Sequence, residues 1–116
     1  MRKKEIVIYS VLVILIIIII GVIFIIKPNP NLESKKDLAL CLAEKSELYV
    51  QLGCKFCKVQ EDMFGEDYIY LNMVDCAYES DKCARAEISG TPTWIINGQK
   101  YAGVQQLDTL KILTGC

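Results

Sequence analysis

The chain has 116 residues, 13 basic and 14 acidic, and contains no histidine. That length suits one small domain, and the missing imidazole excludes Ser-His and Cys-His catalysis and histidine-based metal sites. From residue 27 onward there are ten basic and thirteen acidic residues, a balance that argues against a nucleic-acid partner, which needs a basic face.

Residues 1–5 are polar or charged apart from Met1, and Ile6–Ile26 is 21 residues without a charge. At about 1.5 Å per residue that run spans roughly 31 Å, the hydrocarbon thickness of a bilayer. Ile14–Ile20 is apolar on every helical face, unlike a core helix with one buried stripe. Arg2, Lys3 and Lys4 precede the run and only Lys27 closely follows it. The positive-inside bias therefore predicts a single-pass anchor at 6–26 in the cell membrane, residues 1–5 cytoplasmic and the remainder extracytoplasmic. A cleaved signal peptide is the alternative. It would have a shorter apolar region ending in small residues, and Ile25-Ile26-Lys27-Pro28 offers no such site.

Lys27-Pro28-Asn29-Pro30-Asn31 opens a short extended linker over 27–34, and the domain is expected over 35–116. Ser34 is placed to cap a helix over Lys35–Lys45, with Asp37 three residues on. Leu48–Leu52 predicts a short central strand. Cys54–Phe64 predicts a helix stopped by Gly65. Tyr68–Val74 predicts a second strand, and Cys76–Glu87 a loop with a short helix. Thr93–Ile96 predicts a third strand, which the Asn97-Gly98 turn returns as an antiparallel strand over Gln99–Ala102. Val104–Thr114 predicts a closing helix stopped by Gly115. The order α-β-α-β-α-β-β-α implies an α/β fold with a central mixed sheet flanked by helices. Helical crossovers imply parallel pairing of the early strands, and the hairpin adds one antiparallel edge.

Cys54-Lys55-Phe56-Cys57 stands at the first strand-to-helix junction, and Thr91-Pro92 stands ahead of the third strand. Two cysteines at this spacing suit dithiol–disulfide exchange. Exchange requires a thiolate, whereas a free cysteine has a pKa near ~8.5. Unpaired backbone N–H groups at a helix start favour the anion, so Cys54 is the expected nucleophile. Cys57, one turn further in, is the expected resolving thiol. Lys55 and Lys58 add nearby positive charge, which solvation leaves worth little at each. Phe56 is expected to form an exposed apolar rim for unfolded substrates. Trp94 is expected in the core.

The blocks Leu48–Gln60, Met63-Phe64-Gly65, Val74-Asp75-Cys76, Gly90–Gly98 and Gly103-Val104-Gln105 carry a more specific resemblance. The chain from Leu38 to Cys116 resembles the thioredoxin-like domain that is fused to, or accompanies, homologues of vitamin K epoxide reductase. The resemblance implies a thioredoxin-like fold that passes oxidising equivalents from a quinone-linked membrane partner to thiol-containing secreted proteins. No four-helix quinone-binding module is present here, so such a partner would be a separate protein. The resemblance also implies a cis Thr91–Pro92 bond facing the cysteines, with the Thr91 backbone pairing to a substrate peptide. It implies no cofactor beyond the redox-active disulfide. Two positions depart from the family. Lys55-Phe56 replaces the frequent Pro-His, and Thr91 replaces the frequent Tyr, at positions that the resemblance implies tune redox behaviour and substrate contact, with Lys55 as the tuning residue. Leu48 stands where thioredoxins proper carry a buried acid, so no dedicated acid is expected to assist Cys57.

Cys41, Cys76, Cys83 and Cys116 complete an even count of six. In an oxidising compartment an even count implies disulfides. Cys76 and Cys83 are close in sequence and flank a loop, so they are expected to pair, leaving Cys41 with Cys116. The alternative for Cys76–Cys83 is a second redox pair. A four-cysteine zinc site from Cys54, Cys57, Cys76 and Cys83 is disfavoured, because six residues separate the second pair instead of the two to four usual in a knuckle. No metal is expected. The sequence therefore points to an extracytoplasmic, membrane-anchored protein thiol–disulfide oxidoreductase that donates disulfides. The alternatives are a reductase or isomerase, as in cytochrome maturation, and a non-catalytic disulfide-stapled binding module.

Overall fold

The computed structural model describes residues 2–26 and 30–116. The chain divides into two units, Met1–Pro30 and Asn31–Cys116. The first contains helix α1, Arg2–Ile26, which is long and apolar enough to cross a membrane. Residues 27–29 of the expected linker lie outside the described residues.

Helix α2, Pro30–Lys45, has all but its first residue in the second unit and is followed by β1, Ser46–Val50. Helix α2 thus starts five residues before the expected Lys35, and Ser34 lies within it instead of capping it. Proline suits a first helical turn, where its fixed φ is helical and the N–H it lacks would be unpaired anyway. Then come α3, Lys55–Phe64, a 3₁₀ helix over Gly65–Tyr70, and β2, Met73–Asp75. Helix α4, Ser80–Arg85, strands β3, Thr93–Ile96, and β4, Gln99–Ala102, and helix α5, Leu107–Thr114, complete the unit.

The sheet order is β2-β1-β3-β4. β1 and β2 are parallel, with Leu48 opposite Met73 and Val50 opposite Asp75. β3 runs antiparallel to both β1 and β4. With helices on either side, this is a thioredoxin-like α/β fold.

Two strand expectations are corrected. Tyr68–Tyr70 is aromatic and β-branched, yet it is helical. Continuing the β1–β2 register backwards sets these residues opposite the last turn of α2, where no strand exists to pair with them. The second correction is the direction of β3, which was expected parallel. Helix α4 has six residues, about 9 Å at helical rise, and Cys76–Cys83 ties it back to the end of β2. The chain therefore does not travel back along the sheet, and β3 enters at the end where β1 leaves.

The hairpin follows its signal. Asn97 and Gly98 both have positive φ, 51° and 77°, as a two-residue turn matching strand twist requires. Strand alternation then divides the core. Leu48, Val50, Trp94 and Ile96 face Leu38, Ala39 and Leu42 of α2, Cys57 and Phe64 of α3, and Leu110 of α5. On the opposite face Tyr49 and Val74 pack with Cys83 of α4. Buried Ser46 is satisfied by donating to the Leu42 carbonyl at 2.6 Å.

Candidate active site

The route from β1 into α3 is a tight turn. The Cys54 N–H donates to the Gln51 carbonyl at 3.0 Å. Gly53 has φ 82°, a conformation glycine adopts without a Cβ penalty. Cys54 then occupies the N-cap of α3 with extended backbone (φ −75°, ψ 115°). Its Sγ accepts the Cys57 N–H at 3.1 Å, taking the place of the oxygen found at most helix caps. Cys54 and Cys57 are joined by a disulfide. Cys57 is buried, whereas Cys54 is partly exposed. The outer sulfur is thus accessible and already faces the backbone N–H that would stabilise it as a thiolate.

Across from this sulfur lies the loop ahead of β3. The Cys54 Sγ is 3.4 Å from the Thr91 carbonyl oxygen. The Thr91–Pro92 bond is cis, and the Thr93 hydroxyl donates to the Gly90 carbonyl at 2.7 Å, closing the turn. The Pro92 carbonyl accepts the Gly103 N–H at 2.8 Å, which brings the segment after β4 alongside. Phe56, Val59, Thr91, Pro92, Gly103 and Val104 line a shallow apolar groove of about 480 Å³. Phe56 is 62% exposed at its edge. The structure thus brings Cys54, Cys57, Phe56, Thr91 and Pro92 together.

A larger groove of about 820 Å³ is lined by Cys54 and Cys57 themselves and walled by the Gln51–Gly53 turn, Lys55, Tyr68, Met73, Asp75 and Tyr78. The Asp75 carboxylate holds its wall. Its Oδ1 accepts the Leu52 N–H at 3.2 Å and the Ala77 N–H at 2.9 Å, linking the end of β2 to the turn before Cys54. Burial pushes the Tyr68 phenol up to about 12, with the Glu61 and Asp75 charges adding to the effect. Lys58, expected to add charge near Cys54, instead pairs with Asp62 at 2.9 Å and Glu61 at 3.3 Å. Its hydrogen bonds to these carboxylates, Asp62 first, raise its pKa.

One residue escaped sequence reasoning. Gln60 is fully buried on the α3 face that carries Cys57 and Phe64. Its Oε1 accepts the Trp94 indole N–H at 3.1 Å and the Gln105 N–H at 2.8 Å. Its Nε2 donates to the Gln105 carbonyl at 3.1 Å and approaches the Met63 sulfur at 3.6 Å. The detectable signal was an amide at a position three residues after Cys57 and four before Phe64, where the helix stripe is otherwise apolar.

The remaining cysteines lie outside these grooves. Cys41 is bonded to Cys116, joining α2 to the chain end after α5. Cys76 is bonded to Cys83, joining the end of β2 to α4. Cys76 also donates its N–H to the Val50 carbonyl at 2.8 Å, next to the turn leading to Cys54. No cluster of His, Cys, Asp or Glu suited to a metal ion occurs among the described residues.

No family model matches the chain. It is 35% identical over 79 residues to the thiol-disulfide oxidoreductase LTO1 of Arabidopsis thaliana, a match covering 60% of this chain and 21% of that protein. The chain thus spans about a fifth of the length of the curated relative it matches. Among solved structures it is similar to a mutant of the alkylhydroperoxide reductase protein AhpF of Enterococcus faecalis. That likeness has a TM-score of 0.46 and 22% identity, covering 69% of this chain and 42% of the other. Similarity to a thiol-disulfide oxidoreductase, together with a thioredoxin-like fold and a Cys54–Cys57 disulfide, supports a redox enzyme.

Proposed function

We propose that this chain is a membrane-anchored protein thiol–disulfide oxidoreductase that donates the Cys54–Cys57 disulfide to secreted proteins. The observation that carries the reading is the place of Cys54 Sγ. It is the partly exposed member of a disulfide, caps a helix through the Cys57 N–H, and lies 3.4 Å from the Thr91 carbonyl beside an apolar groove.

A substrate thiolate attacks Cys54 Sγ. The Cys54–Cys57 bond breaks, and its electron pair leaves on Cys57 as a thiolate that takes up a proton. The substrate is then held through a mixed disulfide at Cys54. Its second thiolate attacks the substrate sulfur of that bond, and Cys54 departs as a thiolate facing the Cys57 N–H. Two electrons have passed to the protein, which holds one proton on Cys57 and a thiolate at Cys54; the other proton of the substrate dithiol goes to solvent, and the substrate holds a new disulfide. The Thr91 backbone supplies an edge for an extended substrate, and Phe56 and Pro92 receive its apolar side chains. Lys55, at the first position of α3, tunes the exchange through its charge.

Re-oxidation falls to a separate quinone-linked membrane oxidase resembling vitamin K epoxide reductase, and no other cofactor is used. Residues 6–26 anchor the protein, 1–5 are cytoplasmic, and the domain, whose first helix α2 takes in 30–34 of the expected linker, is extracytoplasmic. The length and apolarity of α1 support the anchor, and Arg2, Lys3 and Lys4 ahead of it carry the reading of the sides. Retention of the first 25 or so residues in the membrane-bound protein, read by mass, tests the anchor.

The deciding measurement is the reduction potential of Cys54–Cys57. A value near about −120 mV supports donation of disulfides, and one near about −270 mV would assign a reductase instead. Oxidative refolding of a reduced protein by the oxidised chain is the matching assay. Failure both to refold such a protein and to reduce insulin would leave only a disulfide-stapled binding module.

A further inference from the structure

The apolar groove beside Cys54 has one wall that no secondary structure holds. Gly103, Val104 and Gln105 lie between β4 and α5. They are tied at one end by the Gly103 N–H to the Pro92 carbonyl. At the other end the backbone bonds of Gln105 go to a single side chain, Gln60 of α3, which takes both the N–H and the carbonyl. That amide cannot be turned round, because Trp94 Nε1 and Gln105 N are both donors and only an oxygen can accept from them. Its orientation is therefore locked from β3 and read out at Gln105. Gln60 and Cys57 lie one turn apart on the same buried stripe of α3.

We propose that Gln60 is a positioning residue for substrate recognition: by clamping the Gln105 backbone to α3 it sets the Val104 wall of the groove next to Cys54. It touches neither sulfur of the disulfide in any hydrogen bond of the structure, so it acts on how a peptide is seated and leaves the intrinsic exchange chemistry alone. Substrates whose apolar residue beside the cysteine enters the groove between Phe56 and Val104 depend on the clamp. Thiols with no flanking residue do not. This inference rests on the oxidoreductase reading of Cys54–Cys57.

The test uses the oxidised full-length protein in detergent and two reduced dithiols. One is a two-cysteine peptide with isoleucine beside its first cysteine, and the other is dithiothreitol. Each gives up two electrons to Cys54–Cys57 and emerges as its disulfide, one of its two protons going to Cys57 and the other to solvent. Gln60→Leu removes every polar contact, and Gln60→Glu keeps the shape but loses the donor to the Gln105 carbonyl. If Gln60→Leu does not fold, Gln60→Glu carries the test. Both variants are expected to oxidise the peptide about tenfold more slowly at pH 8, the scale of a modest misplacement at a reacting centre. Their rates with dithiothreitol are expected to stay at the wild-type value. For Gln60→Glu the peptide rate, taken relative to wild type at each pH, should recover as the pH is lowered and the carboxyl regains a proton to donate. Equal loss with both dithiols, or loss with neither, overturns the proposal while the oxidoreductase reading stands. A wild-type protein that oxidises neither dithiol overturns the reading and the proposal with it.

Discussion

The Cys54–Cys57 and Cys41–Cys116 disulfides are chemically the same bond placed in opposite circumstances. The first closes a sequence separation of 3 at the start of one helix, and its outer residue lines the larger groove. The second closes a separation of 75 and joins the first helix of the domain to the chain end. In the loop-closure model the short link restrains the unfolded chain by about 2 kcal/mol and the long one by about 4.5 kcal/mol. The bond best placed to be opened is therefore the one the fold depends on least. A protein that trades a disulfide repeatedly must keep its shape in both states, and this division of labour allows it.

The largest expected effect falls on the reactive side of that comparison. Cys54→Ser is expected to lower dithiol oxidation by about a thousandfold or more, because no other accessible sulfur lies at a helix start among the described residues. Cys57→Ser should retain attack by Cys54 but not resolution, so mixed disulfides accumulate and can be identified by mass. If Cys57→Ser turned over normally, the assignment of the two sulfurs would be reversed.

The next effect is on stability alone. Replacing Cys41 and Cys116 together by alanine is expected to lower unfolding free energy by about 4 kcal/mol. For a domain of this size that moves the thermal midpoint down by roughly 20 °C. Exchange at Cys54, measured well below the new midpoint, should be unchanged. Replacing Cys76 and Cys83, with a separation of 7, should lower stability by about 2.5 kcal/mol. Mass mapping at graded potentials sharpens the comparison further: Cys54–Cys57 should reduce first. Reduction of Cys76–Cys83 at the same potential would make that bond a redox pair instead of a staple.

The smallest effect is a pH response. Tyr49 and Tyr68 are both held near about 12, Tyr49 by burial and by its 2.8 Å hydrogen bond to Glu47, Tyr68 by burial first. A phenol with a raised folded pKa keeps its proton longer in the folded state than in the unfolded one. The stability it lends is present in full below pH 10 and is lost as the pH climbs from about 10 to about 12. The urea midpoint should therefore fall across that window, and Tyr49→Phe should flatten the fall.

Much of the architecture was legible because local signals and tertiary packing agreed. Thr93–Ile96, the Asn97-Gly98 turn and the Gly115 helix stop stand where turn chemistry and apolar runs placed them. The misreadings share one cause, that a segment's partner lies elsewhere in the chain. Tyr68–Tyr70 has strand composition, but α2 extends to Lys45 and leaves it nothing to pair with. The antiparallel entry of β3 follows from the shortness of α4 and its tether at Cys76, which no property of Thr93–Ile96 reveals. Gln60 was overlooked for the same reason. A glutamine in a helix reads as solvent-facing until Trp94 and Gln105, 34 and 45 residues away, are seen to satisfy it.

The cap of α3 has a consequence of its own. The Cys57 amide hydrogen points at the sulfur of Cys54 at a donor–acceptor distance of 3.1 Å, so one backbone nucleus sits beside the atom whose charge changes. Disulfide, mixed disulfide, thiol and thiolate each present that proton with a different acceptor. In a nitrogen-15 spectrum the Cys57 cross-peak is thus a native gauge of the state of Cys54, readable without a dye, an alkylating agent or a substitution near either sulfur.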